Sequence, residues 1–208
     1  MKAGKFIAFE GGEGADKSTQ ARLLDAALQA RGVETVLTRE PGGTSGAEAI
    51  RALLLANEGE GWHPRAEALL FAAARSDHVE RLIQPAVEAG RWVICDRFLD
   101  SSRAYQGGGG GLDDADLKTL HRIGSGGLLP HLTVLITVEP SKAQSRLLAR
   151  DGDAGDRIGS RPFEYHARVA AAFEQFAHDE PERFIVIDGN GSAEATHELV
   201  WQAIEPLL

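Results

Sequence analysis

The chain has 208 residues, of which 43% are hydrophobic and 25% charged, a composition typical of one compact α/β domain. Its formal net charge of −9 disfavours binding to nucleic acid or to an anionic membrane, so an anionic ligand would need a local basic pocket. A single cysteine excludes an internal disulfide framework, and the sequence shows neither a signal-peptide pattern nor a membrane-spanning apolar stretch. We therefore expect a soluble, cytoplasmic protein.

Short apolar strands alternate with amphipathic helices along the chain. Strands are predicted at residues 5–10, 33–38, 92–95, 132–138 and 183–187. Helices are predicted at residues 17–31, 45–56, 64–89, 113–124, 141–150, 162–178 and 193–207, with Pro85 bending or interrupting the third. The five glycines at 107–111 are predicted to form a loop, and the polar stretch 150–161 a mobile lid.

This alternation predicts a three-layer α/β/α fold with a central parallel sheet of about five strands, and the loop motif at 10–19, described below, makes it the P-loop type. The whole chain, 1–208, is expected to be one domain, and its short strands with few charges fit central, buried positions. In such sheets, ligands bind at the carboxyl ends of the strands. The motifs described next all follow predicted strands and are therefore expected to meet in one crevice.

A phosphate-loop motif lies between the first predicted strand and the first predicted helix. The sequence EGGEGADKST at 10–19 nearly matches G-x-x-x-x-G-K-[ST], in which small residues let backbone N–H groups surround phosphate oxygens at a helix N-terminus. Lys17 would bridge the β- and γ-phosphates, and Ser18 would bind Mg²⁺. Asp16 stands where the pattern has glycine, and a glycine-rich turn before an ordinary helix is the alternative interpretation. The ATP-binding residues predicted here are Gly11, Gly12, Glu13, Gly14, Ala15, Asp16, Lys17, Ser18 and Thr19.

Two further motifs each place an arginine at the end of a predicted strand. Arg39 lies in TREPGGT at 38–44, and Arg97 lies in the run Asp96-Arg97-Phe98. Guanidinium groups bind phosphate through two hydrogen bonds and keep their charge, so two of them facing a phosphate loop indicate a second phosphorylated substrate. Asp96 could hold Mg²⁺ through water or orient the acceptor. Taken alone, the pair Asp96-Arg97 would be an ordinary solvated ion pair.

Six segments together resemble the bacterial thymidylate kinases along nearly the whole chain. They are FEGGEGADKSTQ (9–20), TREPGGT (38–44), LLFAAARSDHV (69–79), DRF (96–98), AYQGGGGGL (104–112) and DRIGSRPFEYHARV (156–169). TREPGGT combined with the run Tyr105-Gln106-Gly107 is highly discriminating among nucleotide kinases. The resemblance implies a homodimeric kinase that uses ATP and Mg²⁺ to phosphorylate thymidine monophosphate to the diphosphate, in dTTP biosynthesis.

The resemblance also implies a base pocket. Phe71 would stack on thymine, Arg75 would donate to its carbonyl edge, and Ser102 and Gln106 would contact the rest of the base. The residues themselves leave other interpretations open. Phe71 could be an ordinary core residue, and Arg75 could belong to a solvated helix face.

Sugar and phosphate contacts follow from the same resemblance. Tyr105 would crowd the 2′ position and favour deoxyribose, although it could also merely cap the loop. Glu13 would lie near the 3′-hydroxyl, and Arg39 and Arg97 would hold the acceptor phosphate. Lys17 and Arg97 are the expected catalytic cations outside the lid.

The lid is expected to supply further catalytic cations. Arg146, Arg150, Arg157 and Arg161 surround it, and a cation delivered on closure would stabilise charge on the transferred group. Arg150 and Arg157 are the candidates, and a solvated charged loop is the alternative. Departures from the family pattern at Gly110 and at Gly159-Ser160 bear on the lid contacts.

Two other functions stay open at this point. Asp16 favours a nucleotide-binding protein with little catalytic power, and within the enzymes a kinase of another nucleoside monophosphate is the alternative. Aspartate tolerates left-handed backbone geometry better than most residues, so the loop is expected to form. In the empty protein, Asp16 is expected to pair with Lys17 or with an arginine of the lid, and ATP use is expected to be impaired.

Overall fold

The computed structural model of the chain describes residues 4–56, 60–151 and 157–208, with the backbone alone at 150 and 151. Its centre is a sheet of five parallel strands, as the alternation predicts. The strands are β1 (Phe6–Glu10), β2 (Thr35–Arg39), β3 (Trp92–Asp96), β4 (Leu132–Thr137) and β5 (Phe184–Asp188). Their order in the sheet is β2-β3-β1-β4-β5.

The helices cover both faces of this sheet. They are α1 (Lys17–Gln29), α2 (Ser45–Leu55), α3 (Pro64–His78), α4 (Gln84–Glu88), α5 (Leu99–Ser102), α6 (Asp114–Ser125), α7 (Pro140–Asp151), α8 (Phe163–Asp179) and α9 (Ala193–Ile204). A π-helical turn, Val79–Ile83, joins α3 to α4, and a π-helix, Arg103–Gly109, continues α5. Residues Glu205–Leu207 form a 3-10 turn.

Alternating side chains of β1 feed two separate cores. Ile7 and Phe9 pack with α1 and α9 on one face, whereas Phe6 and Ala8 pack with the segment around Ile83 on the other. Successive side chains of a strand point to opposite faces, so a strand covered on both sides must be apolar throughout. The three-layer prediction is therefore confirmed.

The expectation that the strands are centrally buried is wrong for the two edge strands. β1 is fully buried, but β2 and β5 carry exposed residues such as Leu37 and Val186. In the described part of the chain, each of these strands pairs on one side only. The sequence signals this for β2, where two residues in five are apolar against four in five for β1, but not for β5, which also has four.

The prediction of a loop at 107–111 is wrong for the first three of the five glycines. The π-helix extends through Gly109, and the chain leaves helical structure only at Gly110 and Gly111. A Cβ built on Gly108 would lie 2.5 Å from Ala172 Cβ, and one on Gly109 would lie 2.5 Å from Tyr165 Cε2. The glycines are thus needed where the π-helix meets α8 at close range.

The structure confirms the interruption predicted near Pro85 and moves one helix boundary. The α-helical pattern is broken by the π-helical turn that ends at Ile83, two residues before the proline, which lacks a backbone N–H. α7 continues to Asp151, so the first two residues of the predicted lid are helical. Residues 157–160 form turns, and 152–156 lie outside the described residues. Within the described ranges, every helix is too short or too polar to cross a bilayer.

Candidate active site

Parallel register brings the three predicted motifs to one edge of the sheet. Asp96 at the end of β3 lies opposite Arg39 of β2 and Phe9 of β1. A cavity opens there with about 950 Å³ of empty space, continuous with solvent. Among the predicted residues, it is lined by Glu13, Gly14, Asp16, Lys17, Ser18, Arg39, Phe71, Arg75, Asp96, Arg97, Ser102, Tyr105 and Gln106. The expected single crevice therefore forms.

The phosphate loop forms around a buried lysine. Lys17 Nζ donates to the carbonyl oxygens of Gly11, at 3.1 Å, and Gly12, at 2.7 Å. Burial, and then the nearby guanidinium of Arg97, lower the pKa of Lys17 from 10.5 to about 8. The carboxylates of Glu13 and Asp96 offset only part of this lowering, so an anion placed in the loop would stabilise the charged form of Lys17 further.

Asp16 adopts the geometry that glycine would normally supply. Its φ is 57° and its ψ 28°, in the left-handed region, at the position that precedes α1. Its Oδ2 lies 3.1 Å from Arg146 Nη1, and Arg146 Nη2 also donates to the carbonyl oxygens of Gly189 and Gly191. The predicted pairing of Asp16 with an arginine at the lid is thus confirmed.

Arg97 is held at the centre of a polar network. Its Nη2 donates to Glu13 Oε1 at 2.5 Å and lies 3.2 Å from the Tyr105 hydroxyl, which itself donates to Glu13 Oε1 at 2.8 Å. Burial would raise the pKa of Glu13, but the cations of Arg97 and Lys17 lower it from 4.5 to about 2. Burial by itself would lower the pKa of Arg97. The Glu13 carboxylate has a larger opposite effect together with its neighbours, so the pKa lies above its ordinary value. Tyr105 is 4% exposed and lies in the π-helix, so it does not cap a loop.

Asp96 is a carboxylate of the cavity whose surroundings fit a metal ligand. Its Oδ1 is buried and has no hydrogen-bond partner among the described residues. Asp96 and Ser18 line the same cavity. A carboxylate and a hydroxyl, completed by phosphate oxygens and water, fit the oxygen preference of Mg²⁺.

The residues of the predicted base pocket lie on α3 and on the segment after β3. Arg75 is 3% exposed, which rules out the solvated helix face. Its Nε donates to Glu40 Oε2 at 2.7 Å, and its Nη2 donates to Phe98 O and Ser102 Oγ at 3.0 and 2.9 Å. Phe71 is half-buried, packs against the core cluster around Tyr105 and also lines the cavity. Its ring therefore has one face on the core and access to the cavity.

Gln106 contributes a buried amide to the same pocket. The residue is 2% exposed, and its Nε2 donates to Glu67 Oε1 at 2.9 Å. Its Oε1 is buried and without a hydrogen-bond partner in the described part of the chain. A buried acceptor without a hydrogen bond lowers the stability of the fold by about 1–3 kcal/mol, so a ligand that donates to Gln106 Oε1 would gain binding energy.

Not every predicted residue is confined to this cavity. Gly11, Gly12 and Ala15 line a second, more apolar cavity between the loop, α7 and α8. Arg39 does line the first cavity, but it is half-exposed and pairs with Glu48 at 3.1 Å. The Arg157 side chain lies beside Gly61: a Cβ added to Gly61 would be 2.8 Å from Arg157 Nη1. Thr19 accepts from Arg22, and the Arg150 side chain lies outside the described part.

Sequence reasoning missed three polar residues of the site and gave no particular partner to a fourth. Glu40 orients Arg75, and Arg51 lines the cavity and donates to Pro41 O at 2.8 Å. Glu67 holds Gln106, whereas Arg146, which was expected only beside the lid, holds Asp16. Glu40 could have been found, since it lies within TREPGGT. The others lie on helices without a motif.

The fold is a five-stranded parallel sheet with a phosphate loop after β1, and the cavity beside this loop is also lined by Arg39, Arg75 and Arg97. This combination of fold and site defines a P-loop nucleotide kinase.

The thymidylate kinase family model matches residues 9–200. The chain is 53% identical to the thymidylate kinase of Rhizorhabdus wittichii over 205 residues, which is 99% of each chain. It is 46% identical to that of a Bradyrhizobium species over 206 residues, 99% of this chain and 91% of the relative. The crystal structure of the Ehrlichia chaffeensis thymidylate kinase matches with a TM-score of 0.80 at 31% identity, covering 97% of this chain and 99% of the other. The chain belongs to the thymidylate kinase family.

Proposed function

We propose that this chain transfers the γ-phosphoryl group of ATP to thymidine monophosphate, giving thymidine diphosphate and ADP. The observation that carries the proposal is one cavity lined by the phosphate loop, by Arg97 and by the buried polar side chains of Arg75 and Gln106. Such a cavity can hold a donor and an acceptor nucleotide with their phosphates adjacent. Positioning of this kind accounts for much of the rate enhancement in phosphoryl transfer.

In the proposed reaction, an acceptor phosphate oxygen attacks the γ-phosphorus in line and the bond to the β-phosphate oxygen breaks. The acceptor phosphate is already anionic, so no strong general base is required. Arg97, with Arg39, binds the acceptor phosphate, and Lys17 leaves its loop carbonyls to bind the β- and γ-phosphates. The Arg97–Glu13 contact keeps the guanidinium oriented before substrate arrives.

Ser18 and Asp96 would hold Mg²⁺, which when bound supplies neutralising charge at the donor phosphates. The unpartnered Asp96 Oδ1 supports this assignment. The backbone N–H groups of the loop, from Gly11 to Thr19, are proposed to bind the donor phosphates themselves.

The acceptor's base and sugar would be read by separate residues. Phe71 stacks on the thymine, Arg75 donates to its carbonyl edge, and Ser102 and Gln106 contact the rest of the base, where Gln106 Oε1 accepts from N3–H. Tyr105 would crowd a ribose 2′-hydroxyl, which favours deoxyribose. Glu13, next to Tyr105, would lie near the 3′-hydroxyl.

We further propose that the chain acts as a single domain of residues 1–208, with a lid at about 150–161 that excludes water on closing. Arg150 and Arg157 are the lid cations proposed to reach the transferred group. A cytoplasmic location fits the substrates, which are cytoplasmic metabolites.

A homodimer is also proposed, on family resemblance. Exposed apolar side chains on α2, α3 and α6 support it: Leu53 is 52%, Leu69 57% and Ile123 75% exposed. Buried in an interface, such side chains would each contribute apolar area. Light scattering at micromolar concentration tests it, and a monomeric mass would refute it.

A weakly catalytic nucleotide-binding protein is the second candidate, because Asp16 and Arg146 pair where donor phosphate should bind. The deciding experiment incubates the chain with ATP, Mg²⁺ and a panel of nucleoside monophosphates and measures ADP and diphosphate products. Selective turnover of thymidine monophosphate supports the proposed function. Binding of thymidine monophosphate without any turnover supports the second candidate.

A further inference from the structure

Glu67 is a buried carboxylate that the proposed reaction does not use. It lies in the first turn of α3 and is 3% exposed. Its two oxygens have different partners: Oε1 accepts from Gln106 Nε2 at 2.9 Å, and Oε2 accepts from Arg161 Nη2 at 2.5 Å. Glu67 therefore joins the predicted base pocket to Arg161, the last residue of the proposed lid.

This contact fixes the orientation of the Gln106 amide. A carboxylate paired with arginine accepts hydrogen bonds and donates none, so the NH₂ of Gln106 must face Glu67. The carbonyl Oε1 is left on the other side of the amide, buried, unpartnered among the described residues, in a side chain that lines the cavity. Turning the amide by half a rotation would place two acceptor oxygens against each other. Gln106 therefore presents an acceptor to the base.

We propose that Glu67 is a positioning residue that sets base specificity: by holding Gln106 Nε2, it makes the cavity select a pyrimidine whose N3 carries a hydrogen. Thymine and uracil have this hydrogen, whereas cytosine has a lone pair at N3. The inference rests on the proposed function, in that the cavity takes the base of a pyrimidine monophosphate. Arg75 acts separately, as a donor toward the neighbouring exocyclic group.

Arg161 is the reason that Glu67 cannot turn away. Its Nη1 donates to the Tyr165 hydroxyl at 2.5 Å, and that hydroxyl donates to Tyr105 O at 2.7 Å. The guanidinium is thus anchored to α8 and the π-helix, and it has only donors to offer. Whatever side chain stands at position 67 must give Arg161 an acceptor.

The substitution Glu67→Gln consequently has a specific expected outcome. The new amide must offer its oxygen to Arg161, so its NH₂ faces Gln106. Gln106 then offers its own carbonyl to that NH₂ and turns its NH₂ toward the base. The side chain keeps its size and its number of hydrogen bonds, but the cavity now presents a donor, which suits the N3 lone pair of cytosine.

The experiment measures binding rather than turnover. Calorimetry gives the Kd of thymidine monophosphate and of 5-methyldeoxycytidine monophosphate, which share methyl, sugar and phosphate and differ only at N3 and the 4-substituent. In the wild-type chain, the methylcytosine nucleotide is expected to bind more weakly. In Glu67→Gln, the ratio of the two Kd values is expected to fall at least about tenfold, equivalent to about 1.4 kcal/mol. Arg75 leaves a residual preference for thymine.

Two further variants separate positioning from a purely structural role. Glu67→Asp keeps an acceptor-only group, so the Kd ratio is expected to stay high even where both affinities fall. Gln106→Met removes the amide at similar length and is expected to lower the ratio at least about tenfold by itself. Adding Glu67→Gln to Gln106→Met should then change the ratio no further, because no amide remains to turn.

Equal weakening of both nucleotides in Glu67→Gln, with the ratio unchanged, would overturn the inference. Should Glu67→Gln fail to fold, an unchanged ratio in Gln106→Met overturns it equally. A wild-type chain that discriminates in binding but never phosphorylates thymidine monophosphate refutes the proposed function and leaves the inference standing. A wild-type chain that phosphorylates thymidine monophosphate, with an unchanged ratio in both variants, refutes the inference alone.

Discussion

Replacing Asp16 by glycine should raise kcat/KM for ATP. The carboxylate lies at the start of α1, next to Lys17, where the backbone must approach donor phosphate. A charge about 5 Å from one phosphate charge, at an effective dielectric near 20, is repelled by roughly 3 kcal/mol. Compensation by Lys17 and Arg146 should leave about 1–3 kcal/mol, or about 5- to 150-fold in affinity. We expect at least a tenfold gain, about 1.4 kcal/mol.

The fold should tolerate this change. The Asp16–Arg146 pair joins side chains that are 41% and 26% exposed, and such pairs contribute about 0–1 kcal/mol. Glycine also removes the strain of a Cβ at φ 57°. This gain in stability offsets part of the stability lost because glycine is more flexible in the unfolded chain. The midpoint of thermal unfolding should therefore shift by only a few degrees.

The assay is steady-state formation of ADP at saturating thymidine monophosphate, with ATP varied. Asp16→Asn is the matched control, because asparagine keeps the size and the left-handed tolerance of aspartate without its charge. If repulsion dominates, Asn should recover most of the gain that Gly gives. Recovery by Gly alone would assign the defect to the Cβ rather than the charge. Equal kcat/KM in all three chains would refute the electrostatic reasoning.

Three further changes test separate parts of the site. Phe71→Ala should raise the KM for thymidine monophosphate much more than that for ATP, because stacking contributes about 1 kcal/mol beyond area burial; equal effects would assign Phe71 to the core. Tyr105→Ala should relax the preference for deoxyribose measured with paired deoxy and ribo substrates, whereas Tyr105→Phe, which keeps the ring, should retain it; an unchanged preference in both would exclude the ring as the gate. Burial, and then Asp100, raise the pKa of Glu10 from 4.5 to about 7, so its contribution to stability is full below pH 4.5 and is lost as pH rises toward 7. Glu10→Gln should remove up to about 3 kcal/mol of that loss in denaturant unfolding at pH 8 relative to pH 4.5, and a parallel pH profile in both chains would contradict the assignment.

The sequence alone determined much of the fold. Apolar runs of strand length, separated by helices with one apolar face, permit little except a parallel sheet covered on both sides, and β1 through β5 appear where that pattern places them. The phosphate loop and the two arginine motifs were readable because each depends on a local order of strand, turn and helix. Lys17, Arg97 and Asp96 could thus be named without coordinates.

Only the tertiary structure decided how distant residues are paired. Three contacts join segments that are remote in sequence: Asp16 with Arg146, Glu40 with Arg75, and Glu67 with Gln106. The glycine run shows the same limit: its flexibility indicated a loop, but its first three residues belong to a π-helix that packs closely against α8. Local propensity is set by each residue and its neighbours along the chain, whereas a buried polar group is satisfied by whatever the packing of the sheet and helices brings within about 3 Å.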